Sequence, residues 1–156
     1  PSAVNANFLN NTINALIARY SLFAGDYATA ITASNAVNAN FSGCIMQFDG
    51  VTPNPIFSVV TAANNIYQIQ DSTLGLPAAI APDLNDRRIP FYTTINTTVA
   101  PRYRINGFFN GNFTSIPIYL PSEMRLIRAE SYLRQSTPNI ANALIEINAI
   151  RQKTPS

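Results

Sequence analysis

The stretch Glu123-Met-Arg-Leu-Ile-Arg-Ala-Glu-Ser-Tyr-Leu-Arg134, followed by Asn142-Ala-Leu-Ile-Glu-Ile-Asn-Ala-Ile-Arg151, decides the fold class of this chain. Leu126, Ala129 and Leu133, flanked by Met124 and Ile127, recur at helical spacing and predict a broad apolar face. Ser122 reads as the cap of that helix. Glu123 then sits in its first turn, where a carboxylate suits the unpaired N–H groups and the positive end of the dipole. Glu130 and Arg134 stand four apart in the order that favours an exposed ion pair. Thr137 and Pro138 read as the cap and first turn of a second helix, whose stripe is Ile140, Ala143, Leu144, Ile147 and Ile150. Two stripes joined by a short turn describe a helical hairpin.

Working outward, the opening third repeats the design. Ile13, Leu16, Ile17, Tyr20 and Phe23 line one predicted helix, and Gly25 closes it in the left-handed conformation that only glycine adopts without steric cost. Asp26 caps the next helix, lined by Tyr27, Ala30, Ile31 and Val37. Ala18, Gly25, Tyr27 and Ala30, with Ala129 and Ala143, occupy the small and aromatic positions of a tetratricopeptide-like pair, where small side chains let helices approach closely. The fold expected is mostly α, with tetratricopeptide-like helical hairpins and an irregular loop and β-hairpin insertion. One domain spans 1–156: a helical pair at 9–39, the insertion at 40–121 and a second pair at 122–153. Within the insertion, apolar runs fall at Ile56–Val60, Tyr103–Phe109 and Phe113–Tyr119. Asn110-Gly111 between the last two predicts a hairpin turn, since both residues tolerate positive φ.

Composition narrows the functional classes. With 156 residues, 47% of them hydrophobic, the chain can bury roughly two thirds of its unfolded surface in one core. Charged residues make up only 12%, and Asn, Ser and Thr supply the polarity instead. The formal net charge of +2 rests on scattered arginines, Lys153 being the sole lysine, so no nucleic-acid footprint is expected. No apolar run reaches the roughly 18 to 20 residues needed to cross a bilayer as a helix. Cys44 stands alone, which excludes an intrachain disulfide and predicts a small, part-buried side chain.

Histidine is absent, which removes Ser-His and Cys-His nucleophile systems and the commonest zinc ligand sets. Gly107-Phe-Phe-Asn-Gly111 has neither the spacing nor the lysine of a phosphate loop. Asp83 and Asp86 are the carboxylates nearest in sequence to a glycosidase pair, but Arg87 and Arg88 adjoin them and a turn with local ion pairs explains all four. No catalysis, cofactor or metal is expected. Four Asn-x-Ser/Thr sequons begin at Asn10, Asn40, Asn96 and Asn112, as accident readily produces in so Asn- and Thr-rich a chain.

Sugar capture uses another toolkit: exposed rings against flat C–H faces, beside planar amides or guanidinium groups that bond hydroxyls in pairs. Tyr103 between Arg102 and Arg104, then Asn106 and Phe108, provide that mixture; Tyr67 and Tyr92 are second choices. The competing reading places Phe108, Phe109 and Phe113 in the core and Tyr103 on a strand face.

Four segments in order resemble SusD/RagB-type proteins, the surface lipoproteins that partner TonB-dependent transporters in Bacteroidetes. Ala15–Ala30 is similar to that family's mid-chain helical hairpin, Pro53–Ser58 to the short strand after it, and Asp83–Arg88 to its Asp-x-Arg turn. The run Glu123–Arg151 is similar to its Ala-Glu-x-Tyr-Leu and Ile-Asn-x-x-Arg helices. The resemblance implies a non-catalytic protein at the cell outer membrane that holds an oligosaccharide or other polymeric nutrient and delivers it to a SusC-like TonB-dependent transporter. It also implies a fragment or diminutive member, with the lipid anchor and part of the ligand surface outside this sequence. The alternative from the helices alone is a tetratricopeptide-like adaptor with a groove for a peptide or for the transporter.

Overall fold

The computed structural model describes residues 5–40, 42–57, 76–81, 83, 85–86, 89–96, 102–105 and 111–152. It is mostly helical. In chain order come α1 (Ala6–Ala24), α2 (Tyr27–Asn35), β1 (Ile45–Met46), α3 (Ile89–Tyr92), β2 (Thr93–Asn96), β3 (Arg102–Ile105), β4 (Ile116–Pro117), α4 (Pro121–Arg134) and α5 (Ile140–Arg151). Among the described residues, no helix is long and apolar enough to cross a membrane. The chain divides into two compact units, one built from 1–46 and 117–156, the other from 47–116.

The first unit is the paired-hairpin core expected from the sequence. Asn5 caps α1 by accepting from the Asn7 N–H, and Gly25 closes it at φ 80°. The N–H of Asp26 donates to the Ser21 carbonyl at 2.9 Å and that of Gly25 to Leu22 at 3.1 Å, a paired closure that satisfies carbonyls the helix leaves open. Asp26 then accepts from the Thr29 N–H and starts α2. Helix α1 packs on α2, α4 on α5, and α2 on α4. All four alanines assigned to close approach are buried: Ala18, Ala30, Ala129 and Ala143.

The periodicity is as expected, but the phase is not. The buried face of α1 is Thr12, Ala15 and Ala18 with Leu22 partly covered, while Ile13, Ile17, Tyr20 and Phe23 stand exposed. In α4 the inner face is Met124, Ile127, Arg128 and Ser131 with Ala129 beside it, and Leu126 and Leu133 remain 52% and 43% exposed. In α5, Ala143 is the one residue fully buried, and Ile140 and Leu144 are exposed. Small side chains win the interior because they permit the short interhelical distance. The large apolar stripe of α1 is left on the outer surface, while on α4 Met124 and Ile127 of the expected stripe do reach the interior.

Two helix starts also differ. Helix α4 begins at Pro121 with Leu120 as the flanking residue, so Ser122 lies inside the first turn. Proline there has a preset φ and no N–H to satisfy, which outcompetes a serine cap one residue on. Glu123 reaches back toward the Leu120 N–H at 3.5 Å. Helix α5 starts after Asn139, whose Oδ1 accepts from the Asn142 N–H at 3.1 Å, in place of Thr137. Asparagine is the stronger cap, and Pro138 is thereby placed before the helix rather than in its first turn.

Tyr119 anchors the segment leading into α4. It is fully buried, and burial pushes its phenol above the ordinary value, with hydrogen bonding to Ser42 working the other way. Its ring covers Gly43 so closely that a Cβ there would stand 2.9 Å from the ring Cζ, nearer still to Cε1. Gly43→Ala is therefore expected to lower stability by about 1–3 kcal/mol through overpacking. Urea denaturation checks this; an unchanged midpoint would mean that Tyr119 does not lie over Gly43.

In the second unit, β2 and β3 pair antiparallel with Thr93 opposite Ile105 and Asn96 opposite Arg102. The described partner of β3 thus precedes it in the chain, and the first arm of the hairpin expected through Asn110-Gly111 lies largely outside the described residues. Gly111 does turn, with the Thr114 N–H donating to its carbonyl at 3.2 Å. The β-branched run Thr93-Thr-Ile, too polar to register as an apolar stripe, supplies the partner strand. The expected strand at Pro53–Ser58 is corrected, because residues 55–57 form a helical turn. Buried Asn54 starts it, accepting from the Ile56 and Phe57 N–H groups at 2.9 and 3.2 Å. Asp83 closes the expected turn by accepting from the Asp86 N–H at 2.9 Å. Phe113, read as core in the competing interpretation, is 61% exposed.

Candidate functional site

The sequence nominated Arg102, Tyr103, Arg104, Asn106, Phe108, Tyr67 and Tyr92. Tyr67, Asn106 and Phe108 lie outside the described residues, as do Arg87 and Arg88 of the acidic-basic turn. Tyr92 ends α3, and Arg102, Tyr103 and Arg104 form most of β3. Register sets their positions on the ladder. Positions 102 and 104 lie opposite Asn96 and Thr94, and position 103 lies opposite Ile95. Thr93, which starts the ladder opposite position 105, is buried.

The helical unit carries two charged clusters that the sequence reading did not assign. Arg128, on the inner face of α4, grips Glu146 of α5 with Nε at 2.8 Å and Nη2 at 2.9 Å. Its Nη1 donates to the Ser34 carbonyl in the last turn of α2 at 3.0 Å. One guanidinium thus ties α2, α4 and α5. Arg125 adds a third bond to Glu146 at 3.0 Å. Burial alone would push the Glu146 carboxyl up, but the hydrogen bonds and charge of Arg128, then of Arg125, outweigh it and hold it below the ordinary glutamate range. In the second cluster, Arg19 of α1 holds Glu123 with Nε at 2.6 Å and Nη2 at 2.9 Å, and donates to the Ile118 carbonyl at 3.0 Å. Every one of these groups is engaged in joining helices, which leaves them a packing role. The exposed Glu130–Arg134 pair forms at 2.7 Å as its spacing predicts.

Two open surfaces flank this frame. Along α1, Ile13, Leu16, Ile17 and Tyr20 line a shallow apolar groove of ≈ 470 Å³. Where α1 begins and α2 ends, a cleft of ≈ 500 Å³ is lined by Asn5, Asn7, Phe8, Asn10, Asn35 and Asn38. Asn11 braces its floor: Oδ1 accepts from the Asn38 N–H at 2.8 Å, and Nδ2 donates to the Asn7 carbonyl at 2.8 Å and to Ser42 Oγ at 3.1 Å. Thr12 locks the next position, donating to the Phe8 carbonyl and accepting from the Cys44 N–H, both at 2.8 Å. That commitment also speaks against Asn10 as a glycan acceptor, because its sequon threonine is buried within a helix. The sequence signal for the cleft was present but unread: Asn7, Asn10, Asn11 and Asn14 recur at three- and four-residue spacing, an amide stripe along one side of α1.

No family model matches the chain, and the searches of curated proteins and of solved structures return no match.

Proposed function

We propose that this chain belongs to a SusD/RagB-like outer-membrane protein that captures a glycan or other polymeric nutrient without altering it and hands it to a TonB-dependent transporter. The observation that supports this reading best is the burial of Ala18, Ala30, Ala129 and Ala143 where two helical hairpins meet, with Gly25 left-handed between the first two helices. Those are the positions on which the tetratricopeptide-like resemblance was built. A chain without histidine whose inner arginines are all committed to carboxylates or carbonyls is suited to holding rather than converting a ligand. The test is calorimetry of the full-length protein against soluble polysaccharides, with affinity purification from its own outer membranes. Saturable binding of a glycan recovered chemically unchanged, together with a co-purifying barrel, is the expected result. Absence of both would overturn the reading.

One observation favours the adaptor as second reading. The groove of Ile13, Leu16, Ile17 and Tyr20 on α1 presents an apolar stripe at the spacing that amphipathic helices dock against. Ile17→Asp would abolish partner recovery under that reading and leave glycan affinity within about twofold under the first.

A further inference from the structure

We infer that the asparagine-lined cleft between the start of α1 and the end of α2 is a binding site for a neutral saccharide, an inference that rests on the glycan-capture reading above and assigns it a place. The argument begins with what lines the cleft. Asn5, Asn7, Asn10, Asn35 and Asn38 bring five primary amides to one concavity, and among the described residues no acidic or basic side chain lines it. Each amide offers an acceptor and two donors in a plane, the arrangement that bonds vicinal hydroxyls in pairs.

Those donors are available. None of the five Nδ2 groups donates a hydrogen bond within the described residues; the bonds that Asn5, Asn10 and Asn38 make use their Oδ1 atoms, toward Asn7 N–H, Asn14 Nδ2 and Asn40 N–H. Asn7 and Asn35 commit neither side-chain atom among the described residues. The oxygens are thereby fixed at three of the positions while the Nδ2 donors of the same residues remain unbonded among the described residues.

The cleft also has the apolar element that sugars require. Phe8 is 41% exposed at its edge, a ring free to lie against the C–H face of a pyranose. Its position is set from below by Thr12, bonded to its carbonyl, and the concavity is held in shape by the Asn11 brace to Asn38 and Ser42. A site prepared in this way loses little freedom on binding.

Other ligand classes fit poorly. An anion or nucleic acid would seek cationic side chains, and a hard metal ion would seek carboxylates; the lining has neither. An apolar ligand would leave each amide it buries without a hydrogen-bond partner, which is unfavourable. A volume of ≈ 500 Å³ accommodates a short oligosaccharide segment rather than a large cofactor.

The test uses the whole chain and a panel of neutral oligosaccharides (maltohexaose, cellohexaose, xylohexaose and mannohexaose), read by calorimetry and by the side-chain amide resonances of the asparagines. The wild-type chain is expected to bind at least one of them, with the Asn7, Asn35 and Asn38 amide signals shifting on titration. Asn7→Ala combined with Asn35→Ala should weaken that binding tenfold or more, and Phe8→Ala by a similar factor. Both residues are exposed and neither side chain makes a hydrogen bond among the described residues, so circular dichroism of the double variant should be unchanged; should it not fold, the wild-type resonances decide alone. Undiminished binding in the variants, or shifts confined to other residues, would overturn this site and leave glycan capture standing. Failure of the wild-type chain to bind any of the four would overturn the site, and the capture reading falls only if the full-length protein also binds no glycan and brings down no barrel.

Discussion

Arg128→Ala is expected to destabilise the helical unit by about 3 kcal/mol, more than any other single truncation of a charged side chain in it. The size follows from what the side chain holds. Arg128 and Glu146 side chains are only 11% and 14% exposed, and their contact is a two-pronged, charge-assisted pair. Truncation leaves Glu146 buried with Arg125 as its remaining cation and strips the Ser34 carbonyl of its donor. Each such orphaned group costs on the order of 1–3 kcal/mol. Arg128→Lys should recover less than half of the loss, because one ammonium cannot replace three directed N–H bonds to two partners. Urea denaturation followed by helix signal measures both, and a loss below about 1 kcal/mol for the alanine variant would place Arg128 on the surface instead.

The same pair gives the unit an acid limit. Glu146 has a folded value below the ordinary glutamate range, so the unfolded chain takes up its proton more readily than the folded one. The stability this contributes is complete above about pH 4.3 and is lost as pH falls through the depressed folded value. Glu146→Gln should start less stable at neutral pH and show a flatter decline between about pH 5 and 3. A parallel decline in both proteins would contradict the assignment.

Ala18→Leu is expected to cost about 1–3 kcal/mol, and Ala30→Leu a similar amount, through overpacking where helices meet. Both alanines have no exposed surface, and the helices on either side approach over them. Leucine has nearly the helix propensity of alanine, so any loss reports crowding between helices and not a weaker helix. Leu126→Ala, by contrast, removes a half-exposed side chain from the outer side of α4 and should change stability by less than about 1 kcal/mol. Had the sequence-based phase been right, the order would be reversed: Leu126→Ala would open a cavity and Ala18→Leu would be tolerated.

That reversal shows what the sequence could and could not convey. The four helices of the two hairpins, the Gly25 closure, the Asp26 cap and the small-residue positions are local matters, set by residues within a turn of one another, and each was readable, whereas the short α3 was not. Which face turns inward is a tertiary matter. Two stripes compete on α1, one large and apolar, one small, and hydrophobicity alone selects the large one. Close packing selected Ala15 and Ala18, as only small residues bring the axes together. The Arg128 and Arg19 clusters were hidden for the same reason, since partners 18 and 104 residues apart leave no local spacing to detect. The asparagine cleft was half legible: the stripe on α1 is periodic, but Asn35 and Asn38 join it only because α2 folds back. Among the nominated ligand residues, the ladder register fixes where Arg102, Tyr103 and Arg104 lie along β3, while Tyr67, Asn106 and Phe108 fall outside the described residues.

Native-state hydrogen exchange tests the central claim, that both hairpins form a single cooperative core joined through α2 and α4. The slowest amides of α2 and α4 should open with the same free energy, equal to that of global unfolding, and Arg128→Ala should lower both by the same amount. Protection that differs between the two helices by more than about 1 kcal/mol, or a variant that loosens α4 and α5 while leaving α2 untouched, would contradict it.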